Sequence, residues 1–145
     1  QIKERLIKFS KKYDKSLPVI PADAKLLRII FQNLLSNAIK YTPPKGSVSL
    51  AIENGNPGIR ITVTDTGCGI PSDQQSRVFT KLFRADNVRE KEPIGTGLGL
   101  YLVKAVVEQS GGKIWFESKE NIGTTFYVII PLSGMNKQGG TKLLT

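Results

Sequence analysis

The sequence predicts an α+β fold, a two-layer sandwich in which helices cover one face of a mostly antiparallel mixed sheet. Two observations lead to this prediction. The chain contains two pairs of segments with alternating apolar residues, each pair joined by a glycine-containing turn, and two longer segments with apolar residues at helical spacing. A chain of 145 residues with 39% hydrophobic residues is long enough for one domain with its own core.

The chain is predicted to have three parts. Residues 1–16 are expected to be the end of a linker or helix from a missing upstream domain, because three apolar residues there recur at helical spacing. These residues are Ile2, Leu6 and Phe9. Residues 17–132 are expected to form the folded domain, and residues 133–145 a disordered tail. Because the sequence begins with Gln1, we expect it to be a piece of a longer protein.

The first long helix is predicted to begin after Asp23, because aspartate is a favoured helix N-cap. The segment "AKLLRIIFQNLLSNAIKY" then places five residues on one apolar stripe, namely Leu27, Ile30, Leu34, Ala38 and Tyr41. The prolines and glycine of "TPPKG" are predicted to end the helix.

Two β-hairpins are predicted from alternating segments. The first joins "SVSLAIE" to "GIRITVTD" through "NGNPG", and the second joins "KIWFES" to "TTFYVIIPL" through another glycine-containing turn. Between the hairpins, "SDQQ" from Ser72 to Gln75 has the pattern of a capping box and predicts a short helix. Residues 85–96 contain almost no apolar side chains and predict a mobile loop.

A second long helix is predicted from "GLGLYLVKAVVEQSGG". Leu102, Val106 and Gln109 lie in helical register, and Gly111 is predicted to stop the helix.

The composition argues against several classes of protein. No apolar segment approaches the roughly 20 residues that cross a bilayer, so we expect no membrane contact by this chain. The single cysteine, Cys68, excludes an internal disulfide and favours a cytoplasmic location. The net charge of +9 is concentrated at the two ends, without aromatic residues interleaved among the basic ones. Nucleic-acid binding is therefore a disfavoured alternative.

Polar residues on the first helix suggest a binding face. Asn33, Asn37 and Lys40 are spaced to lie along one side, with Tyr41 one step round. Carboxamide oxygens suit a hard cation such as Mg²⁺, and a lysine suits phosphate. The alternative is that these residues only occupy the solvated face of the helix.

Asp65 stands where an apolar residue is expected. The alternation of Ile59, Ile61 and Val63 continues onto this carboxylate, which would face the core. One interpretation is a turn aspartate satisfied by the amides of "TGCG". The other is an acid that accepts a hydrogen bond from the exocyclic amine of adenine, with Gly67 and Gly69 allowing close backbone approach. The residues alone leave both open.

The segment "GTGLGL" places Gly95, Gly97 and Gly99 before a helix, where backbone amides can face an anion. It follows a loop instead of a strand, which excludes a dinucleotide-binding fold. A phosphate cradle of another kind and a flexible hinge both remain possible interpretations.

Four segments together are far more specific than any one of them. In order, "NLLSNAIKYT", "DTGCGI", "RVFTKLFR" and "GTGLGL" closely resemble the N, G1, F and G2 boxes of sensor histidine kinases in the GHKL ATP-binding superfamily. The resemblance spans roughly residues 17–132. It implies the Bergerat α/β sandwich, with ATP and Mg²⁺ held between the long helix and a loop called the ATP lid.

The resemblance assigns roles by position. Asn37 matches a Mg²⁺ ligand with Asn33 beside it, Lys40 and Arg84 match phosphate contacts that act in catalysis, and Asp65 matches the acid that binds the adenine amine. The full set of nucleotide-binding positions implied is Asn33, Asn37, Lys40, Tyr41, Asp65, Gly67, Gly69, Ile70, Phe79, Arg84, Gly95, Thr96, Gly97, Leu98, Gly99, Leu100 and Thr124. Two departures are Leu82, where the F box usually has an aromatic residue, and Ile94, where many relatives have glycine.

The resemblance also implies partners. The chain contains no histidine, so the phosphoryl acceptor would lie on a separate dimerisation domain, and a response regulator would act downstream. The chain is expected to be monomeric and its parent a homodimer, anchored or not in a bacterial inner membrane. Asn33 stands where hydrolysing relatives carry glutamate, which favours transfer over hydrolysis. A serine kinase, a dehydrogenase-type kinase and an inactive nucleotide-binding module are the alternatives.

Overall fold

The computed structural model describes residues 6–55, 57–80 and 99–135. Within these ranges the strands are β1 Lys8–Tyr13, β2 Ser47–Asn54, β3 Gly58–Asp65, β4 Lys113–Lys119 and β5 Gly123–Pro131. They form one five-stranded sheet with the strand order β1-β2-β3-β5-β4. Strand β1 pairs in parallel with β2, and the other neighbours are antiparallel. The helices are α1 Ala24–Tyr41, α2 Gly99–Gln109 and a 3-10 helix, Ser72–Arg77.

The predicted α+β class is confirmed, as are both hairpins. Helices α1 and α2 pack against each other and against the sheet. Alternate residues of the inner strands face these helices and are buried, namely Val48, Leu50, Ile61, Val63, Phe126, Val128 and Ile130. The same alternation places Asp65, two residues after Val63 in β3, on the helix-covered face.

Helix α1 begins where predicted, because Asp23 Oδ1 accepts a hydrogen bond from the Lys25 backbone N–H at 2.9 Å. Its buried residues are Leu26, Ile30, Leu34 and Ala38. Leu26 therefore opens the stripe in place of the predicted Leu27, and Tyr41 is only partly buried. The apolar stripe faces the sheet and leaves the polar side of the helix free to line a site.

Helix α2 ends as predicted. Gly111 has φ of +80°, the Gly112 N–H donates to Val107 O at 2.9 Å, and the Gly111 N–H donates to Glu108 O at 3.0 Å. This is the Schellman pattern, in which the residue after the helix adopts a left-handed backbone conformation that favours glycine. The predicted register is wrong at Gln109, which is exposed; the buried residues are Val103, Val106 and Val107.

The helix predicted near the start of the chain is wrong for Lys8–Tyr13, which form the parallel edge strand β1. Burial does not follow the helical spacing, since Leu6 is 63% exposed while its neighbour Ile7 is 5% exposed and belongs to the core. The free edge of β2 offers backbone hydrogen bonds, and this distant pairing overrides the local pattern. Residues 1–5 lie outside the described ranges.

The capping box predicted at Ser72 is also absent. Pro71 occupies the N-cap position and no side chain caps the 3-10 helix. Gln75, which would have bonded back to Ser72, instead donates from Nε2 to Ile70 O and to Ser118 O, both at 3.0 Å. Its side chain therefore ties the segment after β3 to strand β4.

Ordered structure extends past the predicted domain end. Met135 is 7% exposed and its N–H donates to Pro21 O at 3.0 Å, so the expectation of disorder is wrong for residues 133–135. Residues 136–145 lie outside the described ranges, as does the loop predicted at residues 85–96. Neither described α-helix is long and apolar enough to cross a membrane.

Candidate functional site

Some of the predicted site residues that the structure describes lie close to one another. The segment after β3 lies against the end of α1, because a Cβ on Gly67 would be 2.8 Å from Tyr41 O. The start of α2 lies against the middle of α1, because a Cβ on Gly99 would be 2.7 Å from Asn33 Oδ1. Three segments distant in the sequence are thus brought together around the polar side of α1.

The polar side of α1 presents oxygen ligands. Asn33 Nδ2 donates to Ile29 O at 2.7 Å, which fixes the amide and leaves Oδ1 directed towards Gly99. Asn37 is partly buried, and its carboxamide makes no hydrogen bond to another described residue. Lys40 Nζ lies 5.6 Å from the centre of the Tyr41 ring.

These two amides could supply part of the coordination shell of a hard cation, but they could not supply all of it. The described residues contain no group of three acidic, histidine or cysteine side chains able to hold a metal. Magnesium, however, commonly takes only one or two protein ligands and completes its shell with phosphate oxygens and water. Asn37, with Asn33 beside it, fits that arrangement and would require an anionic ligand in the same site.

The Asp65 carboxylate has two different oxygen environments. Oδ1 accepts hydrogen bonds from the Gly67 N–H at 2.8 Å and from the Thr124 N–H at 3.3 Å. Within the described ranges, Oδ2 accepts none. Burial raises the pKa of Asp65 to about 6, against the lowering effect of these two backbone bonds. The turn interpretation is therefore confirmed for Oδ1, and the adenine-binding interpretation stays a prediction for Oδ2.

The glycines after Asp65 serve the packing of their own segment. Gly69 has φ of +67°, and any Cβ there would collide with the Lys119 carbonyl. Gly67 is closely approached by Tyr41 O and by Asp65 Oδ1. The space beside each glycine is therefore occupied by protein backbone or by the acid itself, which positions Asp65 firmly.

Thr124 lies beside Asp65, as its role in the resemblance implies. The two residues are directly paired between β3 and β5, and Thr124 is 7% exposed. Its Oγ1 lies 2.8 Å from the Oγ of Ser118. Tyr41 and Ile70 pack around the buried Cys68 at the edge of this group.

Ser118 was missed by sequence reasoning. Its Oγ accepts from the Ile70 N–H at 2.8 Å and lies 3.2 Å from Gly123 O, in addition to its contact with Thr124. The signal was present, because Ser118 continues the core-facing alternation of Ile114 and Phe116 in β4. It is a polar residue at an apolar position, as Asp65 is.

Not every predicted residue is placed with Asp65. Phe79 packs edge-on against Phe116 and Phe126, with ring centres 5.7 and 6.2 Å away, and belongs to the core. Leu100 also packs against the core. The remaining predicted residues, Arg84, Gly95, Thr96, Gly97 and Leu98, lie outside the described ranges.

Comparison with known proteins identifies related domains. The family model described as "Histidine kinase-, DNA gyrase B-, and HSP90-like ATPase" matches residues 22–134. The adaptive-response sensory kinase SasA of Gloeothece citriformis is 37% identical over 133 residues, covering 91% of this chain and 33% of that protein. The chain spans about a third of the length of the first such relatives.

Solved structures agree. The mycobacterial sensor histidine kinase MprB is 31% identical, with a TM-score of 0.76 over 90% of this chain and 87% of that one. Full-length ShkA in complex with AMPPNP is 28% identical, with a TM-score of 0.76 over 92% of this chain and 27% of that one.

Proposed function

Because the chain belongs to the family of histidine kinase-, DNA gyrase B-, and HSP90-like ATPases, we propose that it is the ATP-binding catalytic domain of a sensor histidine kinase. The observation that carries this proposal is the Asp65 carboxylate, whose Oδ2 lacks a hydrogen bond within the described ranges while Oδ1 is held by two backbone amides. A ligand that donates to this oxygen would lower the cost of burying the carboxylate.

The adenine amine is the donor we assign to Asp65. Guanine would place a carbonyl oxygen where adenine has its amine, and the ionised acid would repel it. Because the pKa of Asp65 is about 6, the group is mostly ionised at neutral pH and accepts. Thr124 is paired with Asp65, and Tyr41 and Ile70, which pack against Cys68, would contact the base from α1 and from the segment after β3.

We assign the phosphates to the polar side of α1. Asn37, with Asn33, would hold Mg²⁺, which when bound neutralises charge on the β- and γ-phosphates. Lys40 adds a positive charge near them, and the glycines 95, 97 and 99 and Arg84 would complete the contacts. Gly99 lies against Asn33, so the start of α2 is next to the polar side of α1 to which we assign the phosphates.

Transfer is favoured over hydrolysis. Asn33 is a neutral amide whose Nδ2 already donates to Ile29 O, so it cannot remove a proton from water. In the proposed reaction an imidazole nitrogen forms a bond to the γ-phosphorus, and the bond to the bridging oxygen breaks with its electron pair leaving on ADP. The other imidazole nitrogen then releases its proton.

The partners of this reaction lie elsewhere. Since the chain has no histidine, the acceptor would be a histidine on the dimerisation domain of the longer protein. That protein would be a homodimer, anchored or not in the inner membrane, with the present domain in the cytoplasm. A response regulator would receive the phosphoryl group next. The similarity to the sensory kinase SasA and to the sensor histidine kinase MprB favours a histidine kinase over a serine or dehydrogenase kinase.

The proposal is tested by transfer in trans. The 145-residue chain is mixed with the purified dimerisation domain of its parent and ATP labelled at the γ-phosphate, with and without Mg²⁺. We expect acid-labile, base-stable label on the dimerisation domain, only with Mg²⁺, and no label on this chain. Release of inorganic phosphate without labelled acceptor, or no nucleotide binding at all, would overturn the proposal.

A further inference from the structure

Three polar side chains lie side by side across the helix-covered face of the sheet. Asp65 in β3 pairs with Thr124 in β5, and Thr124 pairs with Ser118 in β4. Two residues along the same strands, the next positions on this face are apolar: Val63, Phe126 and Phe116. A polar row at the end of an apolar layer is costly unless its members bond to one another or to a ligand.

The Ser118 hydroxyl has three polar neighbours, and two of them compete for its single proton. Its Oγ can donate once and accept twice. The Ile70 N–H already uses one acceptor position at 2.8 Å. The single proton must then go either to Gly123 O at 3.2 Å or to Thr124 Oγ1 at 2.8 Å.

The direction of the Ser118 hydroxyl determines whether the Thr124 hydroxyl can donate a hydrogen bond to a ligand or only accept one. If Ser118 donates to Gly123 O, Thr124 donates to Ser118 and offers only lone pairs to the site. If Ser118 donates to Thr124, the Thr124 proton is free for a ligand. The two arrangements differ by one long hydrogen bond, so a ligand can select between them.

This difference matters for the identity of the base. A carboxylate such as Asp65 can accept from the amine of adenine, but it can also accept from the ring N–H and amine of guanine. The ring nitrogen next to the adenine amine accepts, whereas the same position in guanine donates. A second group that donates at this position therefore favours adenine.

We infer that Ser118 is a positioning residue for base recognition, which directs the Thr124 hydroxyl so that it donates towards an adenine ring nitrogen, directly or through one water. The inference rests on the proposed function, because it concerns the same nucleotide site. Ser118 acts through Thr124 and through the Ile70 amide of the segment after β3, and it does not itself contact the base.

The test compares ATP and GTP. Dissociation constants for both nucleotides with Mg²⁺ are measured by calorimetry for the wild-type chain and for Ser118→Ala. Loss of the directing hydroxyl should weaken ATP binding by about threefold to tenfold, the effect of one net hydrogen bond. GTP binding should change less, so the preference for ATP narrows.

The matched control is Thr125→Val. Thr125 Oγ1 donates to Thr64 Oγ1 at 3.3 Å between β5 and β3, the strands that carry Thr124 and Asp65, but on the opposite face of the sheet. This control removes a cross-strand hydroxyl pair and should leave both dissociation constants unchanged. Ser118→Thr, which keeps a hydroxyl, should restore most of the preference for ATP. Should Ser118→Ala lower stability, Ser118→Cys gives a side chain of similar size with a weaker donor and should shift the preference in the same direction.

Testing Ser118→Ala in a second background distinguishes a positioning role of Ser118 from a purely structural one. In a Thr124→Val background, Ser118→Ala should leave the ratio of ATP to GTP affinity unchanged, because Ser118 has no hydroxyl left to direct. Equal weakening of ATP and GTP in Ser118→Ala, or an effect that persists in the Thr124→Val background, would overturn the inference and leave the proposed function standing. Absence of nucleotide binding by the wild-type chain would overturn both.

Discussion

Asp65 combines a structural and a ligand-binding role in one carboxyl group. Its Oδ1 is held by the backbone amides of Gly67 and Thr124, while Oδ2 has no hydrogen bond within the described ranges. Burial raises the pKa of Asp65 from 3.8 to about 6. In the unliganded domain the Asp65 carboxylate is therefore ionised at neutral pH in surroundings that disfavour its charge. A hydrogen bond donated by a ligand would lower this energetic cost.

The sign of this effect is testable on the unliganded chain. The pKa of Asp65 is higher in the folded than in the unfolded state, so the folded state binds more protons between pH 3.8 and about 6. Its contribution to the free energy of unfolding is absent below this window, becomes unfavourable as pH rises through it, and is fully unfavourable above it. We expect Asp65→Asn to be as stable as wild type at pH 3.5, below this window, and about 1 to 3 kcal/mol more stable at pH 7.5.

Urea denaturation of both chains at the two pH values measures this difference. Asp65→Asn keeps an oxygen that can accept from the Gly67 and Thr124 amides, so the comparison isolates the charge. A clear loss of stability in Asp65→Asn at pH 7.5 would mean that the carboxylate stabilises the fold, and the ligand-binding interpretation of Oδ2 would lose its physical basis.

Asn37 extends the same argument to the metal. Because its carboxamide makes no hydrogen bond to another described residue, Asn37→Ala should leave the thermal midpoint of the unliganded chain unchanged. It should weaken ATP binding by at least about tenfold with Mg²⁺ and little in EDTA, since a lost cation ligand matters only when the cation is present. Gln32→Ala, an exposed position on the same helix, is the control. An equal loss with and without Mg²⁺ would remove Asn37 from the metal site.

The elements of the fold differ in how well local sequence predicts them. Helix α1 and the end of α2 follow from local chemistry, through the Asp23 cap and the left-handed Gly111. The side chain of Gln75 and the strand β1 do not, because both bond to partners more than thirty residues away in the sequence. Local patterns carry no information about which distant edge is free.

The two residues immediately before strand β1 are expected to differ in their contribution to stability. Ile7 is buried in the core, whereas Leu6 beside it is 63% exposed. Ile7→Ala should lower the free energy of unfolding by about 2 to 4 kcal/mol, through lost burial and a cavity, and Leu6→Ala by less than about 0.5 kcal/mol. Equilibrium urea denaturation measures both. Equal, small effects would mean that the chain before residue 14 is not part of the folded domain.

In the molecule as a whole, the order of four short segments along the sequence predicted the domain, its fold and most of its candidate site. Asp65, Asn33 and Asn37 were predicted from spacing because a strand and a helix each fix which residues share a face. Ser118 was missed although it obeys the same alternation, because its importance appears only when β4 is placed beside β5. The ligand-binding roles of Asp65, Asn33 and Asn37 stay predictions, as do those of Arg84, Gly95 and Gly97, which lie outside the described ranges.

The central claim is that Asp65 recognises the adenine of ATP, and calorimetric titration of Mg²⁺-ATP at pH 7.5 into wild-type and Asp65→Asn chains tests it most directly. We predict saturable binding to wild type and a loss of at least about tenfold in affinity for the variant, because one oxygen that accepts becomes an amide that donates. Equal affinity in a folded Asp65→Asn chain would contradict the account.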